Sequence, residues 1–134
     1  MSLTDFFFIL GAPVANSRWS WGGVRDDGSV VLRVWQDETI APIGKRYARL
    51  TRHEAFVGNE SNLGYQERLQ HIALIQSGAK SYMVMCLAVD VNAAPRKIRI
   101  YNEKDVFVGG ELIEHDNNYW LEMADRVPAS QVGQ

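Results

Sequence analysis

The sequence predicts an α+β fold, a strongly curved mixed sheet or small open β-barrel of about six or seven strands with one main helix, residues 63–77, packed on it. Three observations predict it. Short apolar or alternating runs recur along the chain between clusters of Gly, Pro, Asn and Asp, the pattern of strands and turns. Only residues 63–77 hold a long helical spacing between recognisable caps. Finally, 134 residues make one domain, able to bury roughly 65–70% of the surface that its unfolded chain exposes. The domain is read as residues 1–127, with 128–134 as a tail or linker.

Residues 6–10 form an aromatic-rich apolar run closed by Gly11 and Pro13, and they read as a first strand buried on both faces. A hairpin follows, with its turn at Asp26-Asp-Gly-Ser29. Whether the loop is Asp27-Gly28 or all of residues 26–29, Arg25 falls opposite Val30 and Trp21 opposite Val34. That register puts Trp19, Trp21, Val30, Leu32 and Val34 on one face. Trp35 lies on the other, beside Ser20 and Gly22, which are too small to cover an indole.

Residues 40–44 read as a loop around Pro42, and residues 45–50 as a short strand. Thr51-Arg-His-Glu54 matches a capping box, so residues 52–57 read as one or two helical turns ended by Gly58. Asn62 caps the main helix, Tyr65, Leu69, Ile72 and Ala73 form its inward stripe, and Gly78 ends it. Residues 81–89 form a second buried strand and residues 97–101 a half-exposed one, with a loop over 92–95 between them. Residues 106–108 and 111–114 continue the sheet across a bulge or bend at Gly109-Gly110, and residues 115–118 turn into a last strand over 119–123.

Fourteen Lys and Arg against sixteen Asp and Glu leave a formal charge of −2, so no global basic field is available for non-specific nucleic-acid binding. Cys86, the one cysteine, lies in an apolar run and offers neither a disulfide nor a reactive thiol. His53, His71 and His115 are scattered without metal-ligand spacing. Gly22-Gly23 and Gly109-Gly110 open no helix, so no phosphate loop is read. No catalytic motif, metal site or cofactor is expected, no membrane span is read, and the compartment expected is the cytoplasm.

The candidate site is residues 16–37, which hold three of the four tryptophans. Trp35 fits a stacking platform for a flat ring, with Trp19 and Trp21 beside it or in the core. Asn16, Ser17 and Asp37 are candidates to hydrogen-bond a base edge. Arg18, Arg33, Lys45, Arg46, Arg49 and Arg52 concentrate positive charge for phosphate contacts, and Arg25 lies within the same run.

A short aromatic first strand, a loop entering the strand of Trp19-Ser-Trp21, and a curved sheet with a helix on it resemble the PUA-like superfamily and its YTH and EVE-like modules. Asn16-Ser-Arg-Trp-Ser-Trp-Gly22, with Leu32-Arg-Val-Trp-Gln-Asp37 and Leu63-Gly-Tyr-Gln-Glu-Arg-Leu69, also resembles a bacterial domain found at the N-terminus of HNH-type, modification-dependent endonucleases. The resemblance implies a non-catalytic reader that holds a methylated or otherwise modified base in an aromatic pocket, with DNA as partner in a restriction setting. Trp21 would match the family's early-strand tryptophan and Trp35 would be an opposing wall. No HNH motif is present. The alternative is a small-molecule-binding protein or small enzyme using the same pocket, with Asp37, Glu38 or His53 in acid/base roles. A pocketless protein-interaction domain is a third reading.

Overall fold

A computed structural model describes residues 1–51, 62–93 and 96–132. In chain order the elements are α1 (Leu3–Ile9), β1 (Gly22–Val24), β2 (Val30–Trp35), β3 (Thr39–Ile40), β4 (Tyr47–Arg49), α2 (Leu63–Gln76), β5 (Ser81–Ala88), β6 (Ile98–Tyr101), β7 (Asp105–His115) and β8 (Asn118–Pro128). The architecture is α+β. The eight strands form one sheet in the order β1-β2-β5-β7-β8-β4-β3, with β6 also paired to β5, and it does not close into a barrel. β2 and β5 run parallel, and the other pairs are antiparallel.

Two cores lie on opposite faces of β2 and β5, because side chains alternate along both strands. Val31, Tyr82, Val84 and Cys86 face α1, where Phe6, Phe7 and Leu10 cover them. Val30, Leu32, Val34, Met83 and Met85 face the other way and meet Ala48, Leu50, Leu121 and Ile72 of α2. The second core brings β2 against β4, which are far apart in strand order, so the sheet curves strongly around it.

Where a first strand was expected over residues 6–10, the chain forms the end of α1 and its C-cap, Leu10. Ser2 is the N-cap, its Oγ accepting from the Asp5 N–H at 3.1 Å. Phe6, Phe7 and Leu10 are buried at helical spacing, while Phe8 is 73% and Ile9 67% exposed. A run of five apolar residues fits either element, and the cap decides for the helix.

The hairpin register also differs from expectation, by one residue. Val24 lies opposite Val30, and Gly22 opposite Leu32. The loop has three residues, Asp26-Asp27-Gly28: the Arg25 N–H donates to the Ser29 carbonyl at 2.8 Å, and Gly28 takes φ +87°. Two- and four-residue loops keep the same facing pairs, whereas three residues turn every side chain over. Asp27 fixes this loop by accepting from the Ser29 N–H (2.9 Å) and the Ser29 hydroxyl (2.5 Å). Trp21 therefore leaves the sheet level with Arg33, on the side of Trp35, and its carbonyl accepts from the Arg33 N–H at 3.0 Å. Trp19 and Trp21 lie outside β1 and are not anchors of the Leu32–Val34 face.

α2 matches the expected helix, with Asn62 Oδ1 accepting from the Tyr65 N–H at 3.0 Å and Gly78 at φ +102° just beyond its end. Its buried positions are Gly64, Tyr65, Arg68, His71 and Ile72. Leu69 and Ala73 face outward, correcting half of the apolar stripe. β5 is the buried strand expected, and β7 runs through Gly109-Gly110 with the register shift read there. Within the expected loop 40–44, Ile40 belongs to β3. β8 continues to Pro128, and Ala129 and Val132 pack against the first core, so the chain stays docked where a tail was read. The capping segment 52–57 lies outside the described residues.

Candidate functional site

Three of the tryptophans are joined by arginines and carboxylates into one continuous line across the curved sheet. Arg68 Cζ is 5.7 Å from the centre of the Trp21 ring, and Arg33 Cζ is 5.9 Å from Trp21 and 5.8 Å from Trp35. Arg96 Cζ lies 5.3 Å from Trp35. Arg96 holds Asp37 in a two-pronged pair, both contacts at 2.7 Å, and reaches Glu38 at 3.5 Å. Glu38 also meets Arg49 at 3.4 Å, and Arg49 Cζ is 5.8 Å from Trp120. Guanidinium is weakly hydrated and stacks on indoles at small cost, which suits it to such a line.

Burial sets the charge behaviour. Arg68 is 3% exposed and donates to three carbonyls, Leu50 at 2.9 Å, Trp21 at 3.0 Å and Arg33 at 2.9 Å. Loss of water, with Arg33 nearby, pulls its pKa down to about 9. His71, beside it, is pulled down to about 4, mainly by burial and secondly by Arg68, and is neutral at pH 7. Burial pushes the Cys86 thiol up to about 12, which keeps it protonated and inert. The hydrogen bonds that Arg96 donates to Asp37 are the main reason that the Arg96 pKa is raised.

This network answers the Trp35 expectation. Two guanidinium groups lie against its ring, where a stacked base was expected, and Ser20 and Gly22 are not its neighbours across the hairpin. Ser20 instead gives its hydroxyl to Glu67 at 3.0 Å, and the same carboxylate accepts from the Trp21 N–H at 3.3 Å. Asp37 is committed to Arg96, and Glu38 to Arg96 and Arg49. Asn16 closes its own loop, donating its N–H to Ser20 Oγ at 3.0 Å and accepting from the Arg18 N–H at 2.8 Å. Ser17 and Arg18 are exposed, and Trp19 is half-buried with its carbonyl against Gly64. Arg25 is a turn residue, bound to the Leu10 carbonyl, Asp27 and Ser29. Lys45 and Arg46 are exposed, and Arg46 donates to Thr39 Oγ1 at 3.0 Å. Arg52 and His53 lie outside the described residues.

A cleft of 340 Å³ opens at the other end of the line, lined by Ile40, Arg49, His115, Asp116, Asn118 and Trp120. The strand pairing builds it: Arg49 of β4 lies opposite Trp120 of β8. The two-residue turn Asp116-Asn117, both at positive φ, sets His115 and Asn118 beside them. The Trp120 indole N–H donates to the His115 carbonyl at 3.0 Å, and the two rings meet edge to face at 6.0 Å. Asn118 is buried, its Oδ1 accepting from the Thr51 hydroxyl at 2.8 Å. A larger, shallower groove of 550 Å³, lined by Ile75, Gln76, Gly110, Leu112, Ile113, Glu114 and Tyr119, contains no cation.

Trp120, Arg68 and Arg96 were not singled out in the sequence. The pairing of Trp120 with Arg49 is long-range and leaves no local signal. Arg68 had one: Gly64, Arg68 and His71 share a helix face with Tyr65 and Ile72. Among the described residues no group of His, Cys, Asp or Glu could hold a metal ion, and no helix is long and apolar enough to cross a membrane. Compared with protein-family models, curated proteins and solved structures, the chain matches none.

Proposed function

We propose that this is a non-catalytic, PUA-like nucleic-acid-binding domain that takes one modified nucleobase, a methylated one, into the cleft at Trp120. The observation that carries the reading is the lining of that cleft. An indole wall and Ile40 offer apolar contact to a ring and its methyl group, while the exposed His115 imidazole sets a hydrogen-bonding group at the rim. Its volume of 340 Å³ falls at the lower end of the ~300–1,000 Å³ range of ligand pockets. Lys45 and Arg46, exposed on the segment linking β3, which carries Ile40, to β4, would supply the phosphate contacts. A base that enters must leave its stack, at a cost of a few kcal/mol, and the apolar contact with the methyl group supplies the preference.

Binding of methylated and unmodified oligonucleotides at low salt tests this. The expected result is methyl-selective binding by about tenfold, lowered by His115→Ala and by Ile40→Ala. Lys45→Ala with Arg46→Ala should weaken both oligonucleotides alike and flatten the salt dependence. No binding of either oligonucleotide, or binding indifferent to His115 and Ile40, sinks the reading.

A second reading, a small-molecule site with acid/base chemistry, is favoured by one contact: His115 Nε2 lies 3.2 Å from Asp116 Oδ2 at the cleft rim. It replaces Asp37, Glu38 and His53 with this pair. Binding of a free nucleoside as tightly as an oligonucleotide would favour it.

A further inference from the structure

We infer that the guanidinium of Arg33, held against the Trp21 and Trp35 rings at the β1–β2 edge, is a receptor for an oxyanion, a phosphate or carboxylate group. The other arginines of the network each give donors to oxygens of the protein. Arg68 binds three carbonyls, Arg96 binds Asp37, and Arg49 binds Glu38 and the Thr51 carbonyl. Arg33 is held by the two rings, and its guanidinium forms no hydrogen bond or ion pair among the described residues. Ring contact fixes the group in place but gives its N–H donors no oxygen to bind.

Access and charge agree with this. Arg33 is half-buried, more open than Arg68 at 3% exposed. Burial of the Arg33 side chain lowers its pKa, and no carboxylate acts to restore it. Arg68, behind it, adds a second positive charge. A partly buried cation with unspent planar donors, fixed by two indoles, suits an anion with two oxygens in one plane. An oxyanion would give those donors charge-assisted hydrogen bonds, stronger than bonds to water. This site lies at the opposite end of the line from the Trp120 cleft, so it stands or falls independently of base reading.

The test is a titration of the full chain, labelled with ¹⁵N at arginine and tryptophan. Inorganic phosphate and acetate are the probes, with chloride at matched ionic strength as the baseline. A saturable shift of the Arg33 Nε–H and of the Trp21 and Trp35 indole N–H signals, absent with chloride, is expected. The tighter of the two anions identifies the source group. Arg33→Lys keeps the charge and loses the fork, and the indole signals should report affinity lowered at least about tenfold. A shift that does not saturate, that chloride reproduces, or that Arg33→Lys leaves at the same affinity overturns the inference. Should Arg33→Lys fail to fold, the wild-type titration decides: a shift confined to Arg33 supports the site, and an equal shift at the exposed Arg18 refutes it.

Discussion

His71 is a buried histidine kept neutral, and that ties stability to acid. Its pKa is about 4 when folded, against an ordinary value of 6.5, so the unfolded chain binds more protons between those values. The contribution is fully present above pH 6.5 and is lost as the pH falls toward 4. It amounts to about 3 kcal/mol. Urea unfolding across pH 4–7 should show wild-type stability falling over that window, with a smaller slope in His71→Gln. Equal slopes would mean that His71 is not the group responsible. The same residue shows a limit of sequence reading: a histidine on a helix face looks alike whether buried or solvated, and only Arg68, Gly22 and β2 around it decide.

Elements were legible where local chemistry chose between alternatives. Asn62 and Gly78 bracket α2 as read, because caps act within a few residues. The hairpin failed where a three-residue loop, fixed by Asp27 and Gly28, stood in place of two or four residues and reversed the faces of the whole strand pair. The split of Trp21 from Trp35 followed from that register, and so did the open flank expected beside Trp35. Gly64 offers a test of how tightly α2 meets this region. A Cβ there would come within 2.5 Å of Trp21 Cε2 and 2.7 Å of the Trp19 carbonyl oxygen. Alanine ordinarily stabilises a helix relative to glycine by about 1 kcal/mol. Here Gly64→Ala should destabilise by about 1–3 kcal/mol, because the indole must move. Thermal unfolding that shows a gain in Tm would remove the Trp21 contact from the account.

At the scale of the molecule, the sheet is open in its pairing but fastened across the gap by Arg68. Its guanidinium binds Leu50, just past β4, and also Trp21 and Arg33 at the β1–β2 end. Arg68→Met would leave three carbonyls without that donor, and a loss of about 3 kcal/mol is expected in denaturant unfolding. Arg68→Lys cannot reach all three and should recover only part of it. A neutral result for Arg68→Met would mean that the second core alone holds the curve. The curve itself was legible from short strands and one helix, whereas the fastening, which joins residues far apart in sequence, was not.

β5 is bordered by β2 on one edge and by β6 and β7 on the other, with a core against each face. Its amide hydrogens therefore have no local route to deuterium from solvent. Exchange over Met83 to Cys86 must wait until both cores part together, so the slowest protons of the chain measure its global stability.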